Sequence, residues 1–193
     1  RAFKQPKFLN VENVPGLYKN NSALPRAWLV GQIKSVNANI DSVYSVNGNI
    51  DSVLQDLQQK SLEKVFKKNF DPKTQAIVVN YDGPYFAENV SGDVIINSIT
   101  ENRIELTSSS STGGLLVLSE IYYKPGWKAL VNGDEVPIYQ TNHVLRSVNI
   151  PKGKADIVFV YDTTSWNRTR ILSRLSFFFI LVILGGIFWK HRD

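Results

Sequence analysis

The chain has 193 residues, 43% of them hydrophobic and 20% charged, an ordinary globular balance that fits one domain and argues against disorder. Of its formal charge of +5, a net +4 sits in residues 163–193, where Arg168, Arg170, Arg174, Lys190 and Arg192 face only Asp193; a basic excess that brackets one apolar segment, and does not coat a domain face, argues against a nucleic-acid partner. There is no Cys, which removes disulfides, thiolate metal sites and a Cys nucleophile, and no Met, so a chain opening at Arg1 reads as a piece of a longer protein.

In chain order, residues 1–22 mix Pro, Gly and Asn with scattered aromatics and read as an irregular connector. Residues 23–92 read as a strand–helix–strand part. Ala27–Val36 is its first strand, and residues 36–55 hold a tandem ten-residue repeat, VNANIDSVYS then VNGNIDSVLQ. Two short units cannot make a solenoid, so the repeat reads as a local duplication that lengthens a loop or a helix start. Asp51 or Ser52 then caps a helix whose apolar stripe runs through Lys68, and Asp71-Pro72 ends it. Ala76–Tyr81 is a short strand.

From Asp93 to Asp162 the pattern is all β. Strands are expected at Val94–Ile99, Arg103–Ser108, Leu115–Tyr122, Trp127–Val131, Val136–Tyr139, Val144–Ile150 and Ala155–Tyr161. Pro125-Gly126 suits a type II turn and Asn132-Gly133 a type I′ hairpin. Short strands at this spacing predict an antiparallel β-sandwich core over 93–162. Residues 166–190 then form the last unit: Leu175–Trp189 carries no charge, with Trp166 and Trp189 at its two ends. Counted from Ile171 the segment rises about 28 Å as a helix, enough to cross a bilayer if Arg174 snorkels. It reads as a transmembrane helix, with 191–193 as a tail and the lipid bilayer as its partner. Positive charge on both flanks leaves its orientation open.

Two strings, ALPRAWLVGQIKSV and SEIYYKPGWKALVNGDEVPIYQTNHVLRSVNIPKG, resemble the C-terminal region of YfhO-family bacterial membrane proteins, large multi-pass proteins similar to the GT-C class of glycosyltransferases. The Tyr-Tyr-x-Pro-Gly-Trp run followed by Asn-Gly and Val-Pro-Ile carries most of it; the fit is poor over residues 36–70. The resemblance implies a carbohydrate-binding-like β domain on the extracytoplasmic side of the cytoplasmic membrane, a cytoplasmic C-terminus, and further transmembrane helices of the same protein as partners. It further implies a polyprenyl-phosphate-linked sugar as donor for the whole protein and a cell-envelope glycan as acceptor, with the catalytic carboxylate on an early loop outside this chain. A glycan-binding module anchored by one helix, or part of a lipid or polysaccharide transporter, are the other readings.

Candidate chemistry within the chain is sparse. Two histidines, His143 and His191, lie far apart, and neither a phosphate loop nor a Gly-x-Ser-x-Gly elbow is present. No cofactor or metal is expected here. The most pointed polar residue is Arg146, whose phase with Val144, Val148 and Ile150 turns it toward the apolar face, where a guanidinium needs a partner. Glu120, in phase with Leu116 and Leu118, is the expected one. Either the pair fixes register, or Glu120, Tyr122, Tyr123, Trp127, His143 and Arg146 form a polar site. Rings cover sugar C–H faces and polar groups address hydroxyls, so that site would face a saccharide or a lipid headgroup.

Overall fold

A computed structural model describes residues 8–10, 18–20, 23–37 and 50–190, with side chains placed at 20 and over 23–37, 51–164 and 168–184. Most of the tandem repeat therefore lies outside the described residues. The described residues are mainly β, with two larger sheets and two helices. Where an irregular connector was expected, β1 (Phe8–Asn10) and β2 (Tyr18–Asn20) pair as a short antiparallel ribbon.

The expected strand Ala27–Val36 is instead two, β3 (Ala27–Val30) and β4 (Gln32–Val36), parted by Gly31. They stand at opposite edges of a six-stranded sheet ordered β3-β8-β12-β11-β5-β4, where β5 is Gln75–Val79, β8 Gly114–Ile121, β11 Tyr139–Thr141 and β12 Leu145–Ile150. A flat sheet of that order would hold its edges about 24 Å apart. One intervening residue spans about 7 Å at most. The sheet must therefore roll until its edges meet, with β3 and β4 as two halves of one bent strand that closes a small barrel.

Its interior is filled by Trp28, Val30, Ala76, Val78, Leu115, Val117 and Tyr139, all buried. The Trp28 indole N–H donates to the Pro72 carbonyl (2.8 Å), and the hydroxyls of Thr141 and Ser147 bond each other (2.6 Å) inside the wall. Between β4 and β5 runs helix α1 (Ile50–Val65), the crossover that a parallel pair requires. Leu57 docks α1 on Val36 and Ile77, outside the barrel.

A second sheet, ordered β10-β9-β13-β7-β6, is antiparallel throughout: β6 (Gly92–Ile99), β7 (Arg103–Ser110), β9 (Trp127–Val131), β10 (Asp134–Val136) and β13 (Gly153–Tyr161). Its Leu106, Ala129, Ile157 and Phe159 meet Leu116, Leu118, Val148 and Ile150 from the outer barrel wall in one core. Two sheets thus pack face to face, as expected of a sandwich, but the larger is mixed and rolled. Pro137, which has no N–H to give a ladder, divides the expected strand Val136–Tyr139 between the sheets. The two turns form as read: Gly126 (φ 82°), Asn132 (φ 54°) and Gly133 (φ 93°) take the left-handed backbone those turns need.

After Asp162, helix α2 (Thr164–Lys190) runs for 27 residues, about 40 Å. Every side chain placed on it is exposed. Among the described residues, no helix is long and apolar enough to cross a membrane.

Tyrosines tie the barrel to pH. The Tyr81 hydroxyl lies against Asn149 (2.9 Å), and Tyr139 donates to Asp82 (2.8 Å). Burial pushes Tyr81 up to about 12, and it pushes Tyr139 up further, with the Asp82 carboxylate adding to it. Unfolded phenols ionise near pH 10. The tyrosines' contribution is therefore fully present below about pH 10 and is lost as pH climbs through the folded values. Urea midpoints in detergent should hold from pH 8 to 10 and fall toward pH 12. Tyr139→Phe should flatten that fall, and an equally steep curve in the variant would contradict the assignment.

Candidate functional site

Tyr122 and Trp127 come together where β8 and β13 end and β9 begins, beside the start of α2. Tyr161 lies opposite Trp127 in the β13–β9 ladder, and their rings meet edge to face with centroids 5.6 Å apart. Beyond them the Asp162 amide donates to the Gly126 carbonyl (2.7 Å), fastening the β8–β9 turn to the root of α2. Any side chain on Gly126 would strike the Tyr161 ring, a Cβ coming 2.7 Å from Cε2. At this corner Tyr122, Lys124, Trp127, Lys128, Glu135, Ile138 and Asp162 line a cleft of about 550 Å³, the size of a small-ligand site.

Arg146 lies just beneath. As phase predicts, it is on the inter-sheet side and only 5% exposed. Its guanidinium carbon sits 4.3 Å from the Trp127 ring centroid and 5.9 Å from that of Phe159. Nη2 donates to the Ile121 carbonyl (2.8 Å), while Nε and Nη1 are buried without a hydrogen-bond partner. Burial lowers its pKa, and the more distant Glu120 carboxylate opposes that.

The expected Arg146–Glu120 pair does not form. Glu120 accepts from Arg26, through Nε (3.0 Å) and through Nη2. The cause is a bulge. Arg146 pairs with Leu118, but the next residue back, Leu145, pairs with Ile121, so Ser119 and Glu120 have no opposite number on β12. The Ser119 amide is held by the Arg26 carbonyl (2.8 Å) on the other side of β8, which brings Glu120 beside Arg26. An ion pair there keeps part of its hydration, which a pair beneath Trp127 would lose.

His143 is also outside the cleft. It sits in a left-handed turn with Asn142 (φ 76° and 48°), and its Nδ1 meets Ser61 Oγ of α1 at 3.0 Å. Ser61 Oγ also donates to the Gln58 carbonyl (2.8 Å). His143 is thereby a latch for α1. Tyr123 is exposed beside the cleft without lining it. Of six candidates, the fold brings Tyr122 and Trp127 together over Arg146 and sends Glu120 and His143 elsewhere. Lys124, Lys128, Glu135 and Asp162 add the charged part of the lining, and none of them was singled out from the sequence.

The two acids do not make a hydrolytic pair. Asp162 accepts the Thr164 amide (2.9 Å) at the start of α2, and its bonds to Thr164 hold its carboxyl below the usual carboxylate range, ionised rather than proton-donating. Glu135 faces the Lys128 ammonium at 3.7 Å. Among the described residues no acidic or His cluster could hold a metal ion. Two rings, two cations and two anions thus line the cleft.

Residues 86–173, which contain the cleft, Arg146 and the root of α2, match the family described as bacterial membrane protein YfhO. This stretch is a YfhO-family region. The family is described as one of bacterial membrane proteins. No curated protein and no solved structure matches the chain.

Proposed function

We propose that this chain is the water-facing β module and membrane anchor of a YfhO-type integral membrane protein, and that its cleft holds a saccharide. The observation that carries the reading is the position of the Tyr122–Trp127 cleft, built against Asp162 at the root of α2. A saccharide held there would lie where the β module meets the bilayer.

In this reading α2 lies in the bilayer. Side chains from Arg168 to Ile183 and Leu184 are placed and exposed on all sides, among them Phe177, Phe178, Phe179, Ile180 and Leu181. The sequence then continues without charge through Trp189. A helix apolar all round and unpacked against its own domain needs an apolar solvent. The β module would then be extracytoplasmic and the C-terminus cytoplasmic. The whole protein's reaction would be transfer of a sugar from a polyprenyl-phosphate donor to a cell-envelope polymer. Catalytic groups would lie outside this chain, and the module would position the acceptor, since the cleft offers rings and fixed charges to hold it.

Trp127→Ala in the whole membrane protein should raise KM for the acceptor about tenfold or more and change kcat by less, the mark of lost ground-state positioning. Equal losses in kcat alone would place Trp127 in the chemistry. Unchanged kinetics, with no oligosaccharide binding to the wild-type chain by titration calorimetry, would remove the saccharide reading.

A further inference from the structure

Four large apolar side chains are exposed around the end of the β domain from which α2 departs. They are Ile121 (70%), Tyr123 (55%), Val144 (47%) and Ile99 (44%). Strand topology puts them at that end. Ile121 closes β8, and Tyr123 follows it into the turn held by Asp162. The Val144 carbonyl accepts the Tyr122 amide (2.7 Å) just before β12 begins. Ile99 closes β6 next to the hairpin whose Asn102 carbonyl takes the Tyr161 amide (2.9 Å). Water is a poor environment for such a ring of side chains, and none of the four is needed for the core.

We propose that this rim rests on the lipid surface, with Ile99, Ile121, Tyr123 and Val144 seated among the headgroups around the root of α2. The occupant is set by continuity. The rim surrounds the point where an exposed apolar helix begins, and a bilayer that receives α2 must meet the rim within one or two turns. Tyr123 has the amphipathic ring favoured at that depth. Lys124, Lys128, Arg168 and Arg170 at the same end outnumber Glu101, Glu135 and Asp162 there, which favours anionic headgroups over a neutral surface. The proposal rests on α2 lying in the bilayer and deepens that reading: the saccharide cleft would open into the headgroup layer, so its ligand would arrive attached to the membrane or lying on it.

Ile95 supplies an internal control. It is 63% exposed on β6, four residues before Ile99 and about 13 Å further from the root of α2. Because the chain has no Cys, single reporter thiols can be placed by Tyr123→Cys, Val144→Cys, Ile95→Cys and Phe178→Cys. Each is labelled with bimane, and the full chain is set in nanodiscs of phosphatidylcholine and phosphatidylglycerol carrying nitroxide lipids. Labels at 123 and 144 should be quenched at least about twofold more than the label at 95, as expected of groups about 5–10 Å into the headgroup boundary. The label at 178 should be quenched most. Quenching at 178 with none at 123 and 144 beyond that at 95 would overturn the rim and leave the span standing. No quenching at 178 would overturn the span and the rim with it. A far-ultraviolet spectrum matching the unsubstituted chain is required of each variant, and the four sites, being exposed, should meet it.

Discussion

Arg146→Met should keep the fold as stable as before, or raise its stability by about 1–2 kcal/mol, while weakening saccharide binding about tenfold. The guanidinium is buried with two N–H groups unpartnered. What it receives is one carbonyl bond and the face of Trp127, a contact worth about 2 kcal/mol when desolvated. Glu120 is turned away to Arg26 and helps only at a distance. The lowered pKa has the same sign: folding disfavours the charged form, so the charge is held at a cost to the fold. Methionine keeps an unbranched stem and a polarizable sulfur against Trp127 and Phe159, and it leaves only the Ile121 carbonyl, on an exposed residue, to find water.

Arg146→Ala should differ sharply, losing about 2–4 kcal/mol because it opens a cavity under Trp127. In the saccharide reading Arg146 would be a positioning residue, acting on the ligand through the indole it underlies. Urea midpoints combined with titration calorimetry separate the roles. A methionine variant that loses about 3–5 kcal/mol yet binds as before would make Arg146 a strut and nothing more.

What the sequence showed of this site, and what it hid, follows from the range of the interactions involved. Turns are local, and Pro125-Gly126 and Asn132-Gly133 carry their own backbone requirements, so both were legible. The face on which Arg146 lies was legible too, because period-2 alternation holds along β12. Its partner was not. Glu120 had two arginines to choose between, and the choice was made by a two-residue bulge and by the docking of Ser119 on Arg26, 93 residues away in the chain. Phase within one strand says nothing of its neighbour's register. His143 lies outside the cleft for a similar reason: its contact is Ser61, on a helix that the alternation of β12 does not report. The last helix was legible as a helix from its own run of residues, but among the described residues no helix is long and apolar enough to cross a membrane.

The barrel's closure was equally hidden, and it furnishes the other large effect. Gly31→Ala should cost at least about 3 kcal/mol, the upper range for forcing atoms into a packed site. Gly31 shows no left-handed φ, so conformational freedom is not its reason. Proximity is. A Cβ there would lie 1.9 Å from the Ala87 carbonyl oxygen, 2.8 Å from Val90 Cγ2 and 2.9 Å from the Glu88 carbonyl oxygen. Two of those are backbone atoms that cannot rotate away, so the 87–90 segment or the β3–β4 junction must move. Moving the junction pulls β3 from β8 or β4 from β5, and the barrel opens at its seam. Gly133→Ala is the control: its φ of 93° strains any side chain, but nothing lies within 4 Å of the added Cβ. It should cost about 1–2 kcal/mol and leave the barrel shut. Urea midpoints of the two variants in the same detergent decide the matter. A Gly31→Ala variant no less stable than Gly133→Ala would mean that the strand does not have to pass Ala87 so closely, and that β3 and β4 are not one strand bent to close a cylinder.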